Sequence, residues 1–115
     1  MFDSVINVRK SVDGSEVNGT SLKGYFEATY NELVEAFGEP TFSDMSADDK
    51  VSTEWVLVAD VLNFGEEETA VATVYDWKSG TIARDNPFTS YRWHIGGTSM
   101  SAQDIVAYAL HNEVQ

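Results

Sequence analysis

Thr29-Tyr30-Asn31-Glu32-Leu33-Val34-Glu35-Ala36-Phe37-Gly38-Glu39-Pro40 reads as one complete helix with a start, a buried stripe and a stop. Thr29 is a good N-cap, and Glu32 three residues later completes a capping box that satisfies exposed backbone donors. Tyr30, Leu33, Val34 and Phe37 then fall at i, i+3, i+4 and i+7, which puts them on one apolar stripe. Gly38 suits the left-handed position after a helix, and Pro40 forbids continuation. The spacing predicts a helix over 30–37.

The flanking sequence changes period. Upstream, residues 4–12 alternate as a strand and end at the Asp13-Gly14 turn signal. Residues 13–22 are polar and read as a loop, and 24–28 as a short strand or the lead-in to the helix. Downstream of an acidic loop at 41–50, Val51 to Leu62 reads as a strand. Val51, Thr53, Trp55, Leu57 and Ala59 take one face, and Ser52, Glu54, Val56, Val58 and Asp60 the other. Asn63 to Glu68, with Gly65, reads as a hairpin connection. Thr69 to Trp77 is a second strand rich in β-branched and aromatic residues. After a loop at 79–90, Tyr91 to Ile95 is a third, closed by Gly96-Gly97. Ser101 can cap a last helix with the stripe Ala102, Ile105, Val106, Ala109 and Leu110, ending near Glu113.

The order is (β)-β-α-β-β-β-α. Consecutive strands on short loops pair antiparallel, and amphipathic helices must cover a sheet face. The expected fold is therefore α+β. It is a single domain over residues 1–115, an antiparallel sheet of three to five strands with both helices on one face. No repeat or linker divides the chain.

Composition bounds the chemistry. The 115 residues contain no cysteine, which excludes disulfides, thiolate nucleophiles and Cys-based zinc sites. Two histidines leave little scope for a His-rich metal site. No apolar run approaches the roughly 18 residues that span a bilayer, and the N-terminus carries no signal-peptide pattern. No phosphate-binding, dinucleotide-binding or hydrolase motif is present. The expectation is a cytosolic protein without a cofactor or metal, and not an enzyme.

The charge is unevenly placed. The chain carries 19 acids against 7 bases, a net of -12. Residues 39–68 hold nine of those acids against one base, Lys50. Such a field repels nucleic acid and anionic membranes and attracts basic surfaces. Asp44, Asp48, Asp49, Glu54, Asp60, Glu66, Glu67 and Glu68 are the candidate partner-binding acids, arranged to imitate the phosphates of DNA. The bland alternative is solubility. A second candidate is the aromatic and basic cluster Tyr75, Trp77, Lys78, Arg84, Arg92, Trp93 and His94. Rings offer stacking faces there and the bases offer phosphate contacts, while Gly96 and Gly97 allow close backbone approach. Its bland alternative makes Trp77 and Trp93 core residues and Asp76 and His94 a cross-strand pair.

Gly24-Tyr25, the helix 29–40, Thr53-Glu54-Trp55, the run Ala72-Thr73-Val74-Tyr75-Asp76-Trp77-Lys78 and the run Trp93-His94-Ile95-Gly96-Gly97 together resemble a group of small proteins found in bacteriophage genomes. The resemblance covers roughly residues 18–110. Residues 1–17 fall outside it and read as an extra strand or arm. The group carries no established activity, so no site residue follows from it. The resemblance implies a viral accessory protein acting in the host bacterial cytoplasm. The corresponding expectation is a counter-defence protein of the anti-CRISPR or anti-restriction type, inhibiting a basic, nucleic-acid-binding host protein through its acidic surface. The alternative is a protein that sequesters a small nucleotide immune signal on the aromatic and basic platform.

Overall fold

A computed structural model describes residues 4–11, 21–42, 53–77, 86–98 and 102–111. Strands β1 (Ser4–Lys10) and β2 (Ser21–Thr29) precede helix α1 (Tyr30–Phe37). Strands β3 (Glu54–Asn63), β4 (Glu66–Tyr75) and β5 (Ser90–Gly97) follow, and helix α2 (Ala102–His111) closes the order. The α+β expectation holds: the five strands form one sheet in the order β1-β3-β4-β5-β2, antiparallel at every step.

Helix α1 forms where its sequence places it. Glu32 N–H donates to Thr29 Oγ1 at 3.1 Å, and Thr29 N–H donates to Glu32 Oε1 at 2.9 Å, so both halves of the capping box are made. The carbonyl of Pro87 accepts the N–H of Asn31, another of the helix's otherwise unpaired first donors. At the other end Gly38 donates to the Val34 carbonyl at 2.8 Å.

The structure departs from the sequence reading at several points, among them the end of β4, which stops at Tyr75 and leaves Trp77 beyond the strand. β2 starts at Ser21, inside the segment read as loop, because pairing with β5 supplies its backbone partners from Ser21 opposite Gly97 to Thr29 opposite Ser90. β1 and β2, adjacent in sequence, do not pair: they form the two edges of the sheet. The connection expected at 63–68 is only the two residues Phe64 and Gly65. Glu66, Glu67 and Glu68 already pair with Asn63, Leu62 and Val61. Ladder hydrogen bonds outweigh the poor strand propensity of glutamate there. The expected Ser101 cap, the helix end near Glu113 and the start of β3 at 51–52 lie outside the described residues.

Both helices pack on one face. Trp55, Leu57, Ala59 and Val61 of β3 meet Ala72 and Val74 of β4, Trp93 and Ile95 of β5, Leu33 and Phe37 of α1, and Ile105 and Val106 of α2. Trp55 and Trp93 are fully buried and meet edge to face, with ring centroids 5.5 Å apart. Each indole N–H has a carbonyl partner, Trp55 to Gly38 at 2.8 Å and Trp93 to Ala28 at 3.0 Å. These two bonds make burial of the polar end of each indole affordable and tie the start of β3 and the middle of β5 to the two ends of α1. The opposite face of the sheet is buried at its centre too: Val56, Val58, Val71 and Thr73 are all below a tenth exposed. Continuous burial on both sides explains why Trp55 to Ala59 is almost unbroken hydrophobic sequence.

Candidate functional site

The face of the sheet turned away from the helices carries one transverse row of side chains. Glu54 of β3 stands opposite Tyr75 of β4, Tyr75 opposite His94 of β5, and His94 opposite Tyr25 of β2. Four strands thus place an acid, a phenol, an imidazole and a second phenol side by side. His94 lies 4.9 Å from the Tyr25 ring, edge to face, and 5.4 Å from the Tyr75 ring. Trp77 approaches the same imidazole at 6.0 Å. Beyond the row, the Arg92 guanidinium sits 4.6 Å over the Tyr25 ring, a cation–π contact. Tyr25 and Trp77 are 46% and 41% exposed, so the outer rings of the cluster are open to a partner.

The row is electrostatically unusual. Burial, then the charge of Asp76, pushes the Glu54 carboxyl up from 4.5 to about 7. Burial, then the charges of Glu54 and Tyr25, pushes the Tyr75 phenol up. Burial and then Arg92 push the His94 imidazole below 6.5, with Asp76 opposing them. His94 Nδ1 is buried and has no hydrogen-bond partner among the described residues. The imidazole is therefore neutral near pH 7 and contributes a ring rather than a charge. Glu54 exchanges its proton near neutrality, so the row holds titratable groups pushed in different directions, a pattern found at functional sites and in structural networks alike.

Of the aromatic and basic candidates, Tyr75, Trp77, Arg92 and His94 come together. Trp93 does not: it points to the helix side and is fully buried between Trp55 and Tyr91. Adjacent residues on a strand face opposite ways, so Trp93 and His94 cannot share a platform. Trp77 is not a core residue, contrary to the bland reading. Asp76 does not stand opposite His94, whose partner on β4 is Tyr75; Asp76 is buried and accepts the Thr53 N–H at 3.0 Å. Lys78 and Arg84 lie outside the described residues. Gly96 does not open a path for a ligand. A Cβ there would stand 2.5 Å from Thr73 Oγ1 and 3.2 Å from Tyr75 Cε1, so the protein's own side chains occupy that space. Tyr25 escaped the sequence reading because only the β2–β5 pairing, across some seventy residues, brings it to His94.

The acidic candidates are divided rather than gathered. Asp44, Asp48 and Asp49 lie outside the described residues. Glu54 sits at the start of β3, half-buried and close to half-protonated at pH 7. Glu66, Glu67 and Glu68 sit at the opposite end of the β3–β4 ladder, all exposed. Nine residues at about 3.4 Å each separate Glu54 from Asn63, so the two groups are roughly 30 Å apart. Asp60 lies between them, half-buried, opposite Asn7 and Thr69. Within Glu66–Glu68, Asn63 Nδ2 donates to Glu68 Oε2 at 3.2 Å. A further acidic feature was not foreseen: a groove of about 410 Å³ between β2, α1 and α2, with Glu27, Glu32 and Glu35 around Ala28, Ala36, Leu110 and His111. Two of these carboxylates are engaged locally, Glu32 by Thr29 N–H and Glu35 by Asn31 Nδ2.

Among the described residues no cluster of three or more potential metal ligands occurs, and no helix is long and apolar enough to cross a membrane. No protein-family model, curated protein or solved structure matches this chain.

Proposed function

We propose that this chain is a non-enzymatic binding protein of the phage counter-defence kind, docking an acidic surface on a basic, nucleic-acid-handling host protein such as a CRISPR effector or restriction nuclease. The supporting observation is the far end of the β3–β4 hairpin, where Glu66, Glu67 and Glu68 are consecutive and exposed. The described bases of the neighbouring strand, Arg9 and Lys10, pair with Val58 and Leu57, well back from that end. Exposed carboxylates at the end of this ladder, Glu66 and Glu68 on one face and Glu67 on the other, on a molecule of net charge -12, steer and hold a positively charged groove. Glu54 contributes little to such a surface, because its proton is only partly lost at pH 7.

The test uses purified CRISPR effector and restriction nucleases, measuring inhibition of target cleavage and the Kd for the inhibited enzyme. Inhibition should weaken steeply between 0.1 M and 1 M salt, where the screening length falls from about 10 Å to about 3 Å. The combined Glu66→Gln, Glu67→Gln, Glu68→Gln variant should lose inhibition. Full inhibition by that variant, or affinity indifferent to salt, refutes the reading.

A second reading, sequestration of a small nucleotide, is favoured by one feature: Arg92 over the exposed Tyr25 ring, with Trp77 beside His94. Stacking on Trp77 and Tyr25 would hold a base, and Arg92 a phosphate. The protein's own net charge opposes an anionic ligand. Calorimetry with cyclic and linear nucleotides separates the readings; heat that disappears in Trp77→Ala assigns the ligand to this face.

A further inference from the structure

β2 is an edge of the sheet, with a strand partner, β5, on one side only. The direction of its outer backbone groups follows from Thr29, whose N–H leaves the ladder and donates to Glu32 Oε1 at 2.9 Å. Along an antiparallel strand the N–H and C=O groups of every second residue turn the same way. Those of Glu27 and Tyr25 therefore also point away from β5. Side chains close the edge on either side of this window. Glu32 takes the Thr29 N–H, and Gln103 Nε2 of α2 donates to the Lys23 carbonyl at 2.7 Å, where the register with β5 shifts. Between these caps the two N–H and two C=O groups of Glu27 and Tyr25 have no hydrogen-bond partner among the described residues. An open run of this kind is a template for another strand.

The groove of about 410 Å³ borders the same window: Glu27 and Ala28 form its strand side, Glu32 and Glu35 its α1 side, and Leu110 and His111 its α2 side. Glu32 and Glu35 each commit Oε1 to a local hydrogen bond, which leaves Oε2 of both without one among the described residues. We infer that the β2 edge takes up an extended basic segment of a partner protein as an added strand, with a Lys or Arg of that segment lying in the groove. Strand alternation sends every second side chain of the segment to the helix side. There Ala28 and Leu110 receive the alkyl stem, and the carboxylates of Glu32 and Glu35 receive the cationic head. Arg92, the base opposite Glu27, sits over the Tyr25 ring on the other face and does not line the groove. Charge selects the occupant. A second copy pairing β2 against β2 would bring Glu27, Glu32 and Glu35 of both chains together on molecules of net charge -12. The inference rests on the reading of this chain as a docking protein for a basic partner, and it gives that partner a second contact surface and an extended shape.

The experiment uses three end-blocked nine-residue peptides: one alternating lysine with valine, one with glutamate in place of lysine, and one with proline in place of valine. The third keeps the positive charge but cannot pair as a strand. The lysine–valine peptide should bind the native chain, shifting the Tyr25 and Glu27 amides in NMR spectra and slowing their hydrogen exchange. The glutamate peptide should not bind, and the proline peptide should bind about tenfold more weakly or less. Two variants locate the contact. Glu27→Pro removes an N–H that faces away from β5, a position where an edge strand tolerates proline, and Glu35→Lys reverses a groove charge. Each should weaken the lysine–valine peptide about tenfold. Should Glu27→Pro fail to fold, Glu35→Lys and the amide exchange of the native chain decide. Absence of binding, equal binding of the proline peptide, or shifts that bypass Tyr25 and Glu27 overturns the inference. Concentration-dependent dimers of the native chain that vanish in Glu27→Pro would assign the edge to a second copy and also overturn it. The two readings fail separately. Peptide binding by a chain that inhibits no nuclease leaves the edge site standing and removes the counter-defence reading. Inhibition that depends on Glu66–Glu68, in a chain that binds no peptide, does the reverse.

Discussion

Glu54→Gln separates a structural acid from an interface acid. In the folded chain burial, and secondarily the charge of Asp76, raises the Glu54 carboxyl from 4.5 to about 7. The direction is the reverse of the usual salt-bridged carboxylate. Between pH 4.5 and 7 the folded state holds this proton and the unfolded state has lost it. Because the folded state then binds more protons, stability falls as pH rises through that window. Below it both states are protonated and the full contribution is present. Above it the folded state carries a half-buried carboxylate beside Asp76. At 1.36 kcal/mol per tenfold change in proton affinity, the whole window is worth about 3 kcal/mol, most of it between pH 5 and pH 8. For a chain of this size that is a change in melting temperature on the order of 10 °C. Glutamine keeps the shape and does not titrate. The assay is thermal unfolding of the native and Glu54→Gln chains at pH 5 and pH 8. Taking the gap between the two proteins at each pH cancels the titrating groups that do not interact with Glu54. The variant should be close to native at pH 5 and clearly more stable at pH 8. An equal gap at both pH values would show that the carboxyl is not held protonated by its surroundings.

Two further outcomes follow from the same face. Gly96→Ala forces a Cβ against Thr73 Oγ1 and Tyr75 Cε1, and should cost about 1–3 kcal/mol in denaturant unfolding. Adding Thr73→Ala should recover part of that loss, and an unchanged Gly96→Ala would mean that the packing there is loose. In an NMR titration the His94 imidazole should have its midpoint below 6.5, and Arg92→Gln should move it upward by removing the second cause of the shift. Its contribution to stability is full above pH 6.5 and declines as pH falls toward the lowered midpoint; a His94 midpoint at or above 6.5 contradicts this account.

The parts of this fold that could be read from sequence are those whose causes are short-range. Thr29, Glu32, Gly38 and Pro40 define α1 within twelve residues, and each makes or forbids a bond to a neighbour four residues away or fewer. The alternation of Trp55, Leu57 and Ala59 against Glu54, Val56 and Val58 also follows from the chain itself, since successive strand residues face opposite ways. The failures are of another kind. The sequence places Ser21 and Leu22 in a loop and starts a short strand only at Gly24, because the hydrogen-bond partners that extend β2 back to Ser21 sit on β5. Glu66–Glu68 were read as a turn because glutamate disfavours strands, while their partners on β3 require the strand. Trp93 was grouped with His94 by adjacency, which a pleated strand turns into separation.

The candidate surfaces divide along the same line. The amino-acid order by itself determined that the chain is acidic, that it lacks cysteine, and that nine of its acids fall within residues 39–68. Only the tertiary structure decided which of these side chains meet. The strand order β1-β3-β4-β5-β2 sets Tyr25 beside His94 and Glu54 at the far end of the same row. It also parts Glu54 from Glu66–Glu68 by the length of a ten-residue strand. Formal charge is a property of sequence, but effective charge depends on hydration. Glu54, withdrawn from water beside Asp76, keeps its proton near neutrality, whereas Glu66, Glu67 and Glu68 stay exposed around the tip that carries Phe64.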